Sequence, residues 1–161
     1  VLHKAIRASI SMPGIFTPYE IDGHIYIDGG VLERMPMQAA RELGAELFVL
    51  DDGWFGERHS IQNGLGDWYV NEGKFPNGLE ELISEVKDLG MMFGIWVEPE
   101  MVNPKAQLYQ QHPDWIYHYE TRTSDTSRGQ YVLHVTKPEV QEFIYNMMDN
   151  LLTRYDIDYV K

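Results

Sequence analysis

Two neighbouring carboxylates, Asp51 and Asp52, stand before Gly53 and Trp54, and further along Trp96 precedes the run Glu98-Pro99-Glu100. A lysine, Lys161, is the last residue. These residue types suit a polyhydroxylated ring. Ionised carboxylates accept hydrogen bonds from vicinal hydroxyls, an indole covers the apolar face of a pyranose, and an ammonium group donates to a hydroxyl oxygen. Taken singly, each also has a plainer reading. Asp-Asp-Gly is a common turn, a tryptophan closing an apolar strand often belongs to the core, and Glu98 before a proline suits a solvated loop. Spacing alone leaves both readings open.

The elements that would bring these residues together follow from the placement of glycine and proline. Residues 47–50 form an unbroken apolar run, the pattern of a strand buried on both faces, and 92–97 form a second. Residues 24–27, 131–135 and 157–160 read as further strands. Helices are expected over 37–43, 79–89, 106–112 and 138–154. The second carries Leu79, Leu82, Ile83, Val86 and Leu89 on one face with Gly90 as its stop, and the last is opened by Pro138. Between 55 and 78 lies a long loop with five glycines, the kind that is usually functional in a compact domain. Strands alternating with helices imply an α/β fold with a mostly parallel sheet, and such sheets gather their chemistry at the C-terminal ends of the strands. Asp51, Asp52, Trp96, Glu98, Glu100 and Lys161 all fall at such ends.

The bulk properties narrow the partners. A chain of 161 residues can bury one core but falls short of an eight-stranded barrel of about 250 residues. Its net charge of −12, from 25 acidic and 13 basic residues, argues against a nucleic-acid partner. It has no cysteine, hence no disulfide framework. No apolar run approaches the roughly 20 residues needed to span a bilayer, and no leader-like apolar stretch follows the basic residues near the start. The expectation is a cytoplasmic protein without membrane contact.

The carboxylate run is part of a longer pattern. Leu47-Phe-Val-Leu-Asp-Asp-Gly-Trp-Phe-Gly56 is followed by Leu65-Gly-Asp-Trp68, Lys74-Phe-Pro-Asn-Gly78 and Phe93-Gly-Ile-Trp-Val-Glu-Pro-Glu-Met-Val102. Then come His112-Pro-Asp-Trp115, Gln130-Tyr-Val-Leu133 and Tyr159-Val-Lys161. In this order, from about residue 46 to 161, the chain resembles the family 36 glycoside hydrolases, the bacterial α-galactosidases. The resemblance implies a fragment of a (β/α) TIM barrel with no cofactor and no metal, and a small-molecule galactoside as partner. It implies that Asp51 and Asp52 hold the galactose hydroxyls, their axial reach distinguishing galactose from glucose. Trp96 would be the aromatic wall, Arg128 would help hold the ring region, and Lys161 matches the lysine two positions before the nucleophile. Trp54 would support the loop. At Gly129 the chain departs from relatives, which often carry Asn or His there.

In that family the last strand continues with Trp-Asp, whose Asp is the nucleophile of a retaining double displacement. Such a reaction needs two carboxyl groups about 5–5.5 Å apart. Neither is matched by a residue of this chain, so no catalytic residue is assigned, and the expectation is a galactose-site fragment without turnover. Asp156 and Asp158 precede the strand end and are poor substitutes. Half a barrel also leaves strand edges open, which invites self-association.

Residues 1–45 carry a different pattern. Ala5-Ile-Arg-Ala-Ser-Ile-Ser-Met-Pro-Gly14, Phe16-Thr-Pro18 and Ile27-Asp-Gly-Gly30 resemble patatin-like phospholipases, in which Asp28 would be the acid of a Ser-Asp dyad. The expected nucleophile elbow, Gly-x-Ser-x-Gly, is absent, and an Asp without its serine cannot acylate. The two patterns meet at Arg41-Glu-Leu-Gly-Ala-Glu46, a helix end and strand start that suits either family. The implied organisation is a chimera, with a patatin-like β-α segment ahead of a barrel fragment. A patatin-like acyl hydrolase and a non-catalytic α/β chimera are the competing readings. A serine-directed fluorophosphonate probe is expected to leave the chain unlabelled; a labelled serine would restore the acyl-hydrolase reading.

Overall fold

The computed structural model describes residues 19–21, 24–26, 36–118, 126 and 129–161. They belong to two compact units, Val1–Ala45 and Glu46–Lys161. In the first unit, β1 (Tyr19–Ile21) and β2 (His24–Tyr26) pair antiparallel with Tyr19 opposite Tyr26. The intervening sequence is Asp22-Gly23, a pair favoured in two-residue hairpins. Strand β1 was not anticipated from sequence, because three residues behind Pro18 show no usable period. Helix α1 (Met37–Glu42) ends where Gly44 takes a left-handed φ of +96° and its N–H bonds the Arg41 carbonyl at 2.9 Å. Asp28 lies outside the described residues, as does Arg128 with nearly all of the polar stretch before it.

The second unit is built on a small parallel sheet in the order β3 (Leu47–Leu50), β4 (Met92–Ile95), β7 (Tyr159–Val160). Leu50 is in register with Ile95, and Ile95 with Val160. The central strand can lie this close to both neighbours because position 94 is glycine. A Cβ there would approach the Tyr159 ring and Val49 to 3.1 Å. Helix α2 (Glu80–Asp88) buries Leu82, Ile83 and Val86, the residues spaced for one face. Glu80 and Glu81 stand in the first turn and Lys87 in the last, complementing the helix dipole. With Leu79, Phe93 and Ile95, all fully buried, this face forms the core beneath the sheet. Each such side chain contributes about 1.5–3 kcal/mol on burial.

A second core cluster joins β5 (Met101–Val102), α3 (Gln107–Gln111), a 3-10 turn at Pro113–Trp115, β6 (Tyr131–Val132) and α4 (Pro138–Arg154). Val102, Ala106, Leu108, Ile116, Leu133 and Val140 are its buried members. Here the structure departs from the sequence reading. The strand expected over 131–135 is only two residues long and pairs antiparallel with β5, outside the parallel sheet. Pro99 and Pro104 bracket β5 too tightly for a longer ladder. Strand β3 also differs from expectation. Leu47 is exposed and the rest of the strand is half-buried, since among the described residues β3 is an edge with a partner on one side only.

Asp156 and Asp158 sit before β7, at the end of the sheet away from Lys161. Lys87 bonds both, at 2.6 and 3.1 Å. Asp158 also completes the ladder. Its N–H bonds the Phe93 carbonyl, and its carboxylate accepts the Phe93 N–H, both at 2.8 Å. The Phe93 N–H and then Lys87 hold the Asp158 carboxyl below the ordinary carboxylate range. A depressed carboxyl adds stability above its unfolded value and loses it as the pH falls through the folded value. Asp158→Asn is expected to cost about 0.5 kcal/mol at pH 7, and calorimetry should show its melting temperature converging on the parent's as the pH falls below the ordinary carboxylate range.

Candidate functional site

The sheet register decides what meets at the C-terminal rim. One position beyond the aligned Leu50, Ile95 and Val160 stand Asp51, Trp96 and Lys161. The ladder continues through them: the Trp96 N–H bonds the Leu50 carbonyl and the Lys161 N–H bonds the Ile95 carbonyl, each at 2.9 Å. Across the width of the sheet, Lys161 Nζ donates to Asp51 Oδ2 at 2.5 Å. The other Asp51 oxygen accepts the Asp52 N–H at 2.9 Å. The Lys161 ammonium holds the Asp51 carboxyl below the ordinary range, with the Asp52 N–H adding to it and slight burial opposing. Both side chains remain about half exposed, at 59% and 50%, so both can meet a ligand.

Asp52 is held from the other side by the long loop after β3. Arg58, which is buried, donates Nε to Oδ1 at 2.8 Å and Nη2 to Oδ2 at 2.7 Å. Lys74 bonds the Gly53 and Arg58 carbonyls at 2.7 and 2.6 Å, tying the turn after β3 to the loop. Asn71 bonds the Gly56 carbonyl. Asp67 reaches over to cap α3, accepting the Gln107 and Leu108 N–H groups at 2.9 and 3.0 Å. Burial pushes the Asp67 carboxyl up, while these two N–H groups act in the opposite direction.

Trp96 is half-buried, with Phe55 and Trp68 behind it at ring-centroid distances of 6.0 Å each. Trp54 is only 1% exposed and donates its indole N–H to the Trp96 carbonyl at 2.9 Å. It therefore supports the rim from within. Glu98 is half-buried and Glu100 exposed. Of the residues singled out from sequence, Asp51, Asp52, Trp96 and Lys161 share the rim. Gly129, next to Arg128, has its carbonyl bonded by Asn103 at 3.0 Å. Among the described residues, no group of three His, Cys, Asp or Glu side chains is placed to hold a metal ion, and no helix is long and apolar enough to cross a membrane.

Sequence reasoning missed Arg58, Lys74 and Asn103. Arg58 and Lys74 lie in a loop without periodicity, and nothing in Val102-Asn103-Pro104 signals that the asparagine is fully buried. The one hint concerned Lys74, which opens the Lys74-Phe-Pro-Asn-Gly78 run of the longer pattern, whereas Arg58 and Asn103 fall outside its quoted runs.

Residues 26–161 match the Melibiase family model, and residues 1–41 match the patatin-like phospholipase model. The α/β unit with acidic, aromatic and basic groups along one sheet rim thus has its counterpart among glycoside hydrolases. The chain belongs to the Melibiase family, the family 36 α-galactosidases, over most of its length, and is patatin-like at its N-terminus. The two matches overlap between residues 26 and 41, ahead of Glu46. The α-galactosidase AgaA of Geobacillus stearothermophilus is 49% identical over 77% of this chain and 17% of its own length. The α-galactosidase 2 of Hypocrea jecorina is 43% identical over 99% of this chain and 22% of its own. In solved structures, an AgaA variant in complex with raffinose superposes with a TM-score of 0.74 at 48% identity, covering 77% of this chain and 17% of that one. The chain thus spans about a fifth of the length of these relatives.

The Asp51–Lys161 bond gives the site a titration signature. Lys161→Met is expected to move the Asp51 carboxyl up towards the ordinary range, as read from its 13C carboxyl resonance across an acid titration. An unmoved resonance would show that Lys161 is not its partner in solution.

Proposed function

We propose that Glu46–Lys161 is part of an α-galactosidase (β/α) barrel and forms the sugar-holding side of its galactoside pocket. The observation that carries this reading is the in-register rim of Asp51, Trp96 and Lys161, with Asp52 fixed beside it. Carboxylates accept from the ring hydroxyls, Lys161 donates to one, and the half-buried indole offers a face for the apolar side of the ring. Family membership supports the substrate class, and the raffinose complex of the AgaA variant supports a terminal galactosyl unit as the group held. The matched positions hold the sugar; the reaction of the whole enzyme would be retaining hydrolysis of an α-galactoside by two further carboxyl groups. The patatin-like N-terminal segment has no part in this proposal.

The test is titration of the 161-residue chain with galactose, following the Trp96 indole and Lys161 resonances by NMR. Binding at about 1–10 mM is expected, a free energy of only a few kcal/mol, and Asp51→Ala should weaken it about tenfold. Absence of shifts at the rim up to saturating sugar would sink the reading.

A further inference from the structure

The Asp52 carboxylate is gripped by a guanidinium that has no freedom to turn. Arg58 is 6% exposed while Asp52 is 44% exposed, so a buried cation ends on a carboxylate open to ligand. The fork formed by Nε and Nη2 engages both carboxylate oxygens, at 2.8 and 2.7 Å. On the far side, Nη1 donates to the Asn63 carbonyl at 3.0 Å and to Asn103 Oδ1 at 3.3 Å. Asn103 is itself fully buried and fully used. Its Oδ1 also accepts the Leu65 N–H at 2.9 Å, and its Nδ2 donates to the carbonyls of Ile61 and Gly129. Behind the arginine, Gly64 adopts a φ of +86°, and a Cβ there would come within 2.8 Å of the Arg58 backbone.

Burying an arginine merely to anchor a loop is a costly choice, since an apolar residue of similar volume does the same with less desolvation. The fork has a different consequence. A carboxylate offers about four acceptor sites; the guanidinium takes one on each oxygen and leaves the others fixed in direction. An exposed aspartate without such a partner rotates among its side-chain rotamers. We infer that Arg58 is the positioning residue for sugar stereochemistry at this rim. It orients Asp52 towards the hydroxyl that differs between galactose and glucose, and Asn103 ties the same fork to the segment at Gly129. The inference rests on the reading of the rim as a galactoside site.

The experiment compares the parent with Arg58→Met, Arg58→Lys, Asp52→Asn and the double variant Arg58→Met/Asp52→Asn. Galactose and glucose are titrated into each by NMR, and the χ1 couplings of Asp51 and Asp52 are recorded without sugar. Arg58→Met is expected to lower galactose affinity about tenfold and glucose affinity less than twofold. Arg58→Lys, which keeps the charge and loses the fork, should fall between, and it serves as the folded test if Arg58→Met does not fold. In the Asp52→Asn background, Arg58→Met should add nothing. Equal losses for both sugars, or additive losses in the double variant, would leave Arg58 as scaffold only and overturn the inference. If the parent binds neither sugar, the galactoside reading fails by itself. The couplings then decide the positioning: one Asp52 rotamer in the parent and averaged values in the Arg58 variant, with Asp51 unchanged, support it, and an unchanged Asp52 overturns it.

Discussion

A slip of one residue in β4 against its neighbours would turn Trp96 to the opposite face and separate it from Asp51 and Lys161. The rim therefore depends on the register of three short parallel strands, and the structure fixes that register by several independent means. Gly94 admits the close approach of Val49 and Tyr159, which a residue with a Cβ would resist. The Trp54 indole bonds the Trp96 carbonyl from outside the ladder. At the opposite end of the sheet, the Asp158 side chain takes the Phe93 N–H. Strands of two to four residues have few ladder hydrogen bonds to spare, and these additional contacts specify one alignment where length alone would not.

The loop between β3 and α2 illustrates how a polar segment can be as well determined as a core. It is anchored by the buried Trp54, Phe55 and Leu65, and between these anchors its course is set by hydrogen bonds made by Arg58, Asp67, Asn71, Lys74 and, from beyond β5, Asn103. Each of these is buried or reaches to a distant main-chain group. A network of this kind rewards full satisfaction and penalises the loss of any member, because the partners left behind lose their bonds inside the protein. The loop thereby transmits the geometry of the second core cluster, through Asn103 and Asp67, to the carboxylate at the sheet rim.

Much of this was legible in the sequence, and unevenly so. Helix α4 runs from Pro138 to Arg154 as its proline start predicts, and α2 differs by one residue at each end from the apolar spacing that revealed it. Strands β3, β4 and β7 were found because apolar runs ending in polar residues mark parallel strands. Strand β5, two residues between prolines, carries no such mark, and β6 was read too long because Tyr-Val-Leu-His-Val has the composition of a strand without the neighbours to extend one. At the site, Asp51, Asp52, Trp96 and Lys161 could be named because strand ends are where such chemistry collects. Arg58 and Asn103 could not. Their significance comes from burial created by the folding of a loop with no period, and one-dimensional patterns hold no record of it.

The aromatic side chains behind the rim have an optical consequence. Trp54 and Trp96 flank Trp68, whose ring lies 6.1 and 6.0 Å from theirs, with Phe55 between them. Indoles at this separation share excitation energy and couple their transitions. The near-ultraviolet dichroism of the group is therefore set by the mutual orientation of the three rings, and a rotation of Trp96 at the rim alters it.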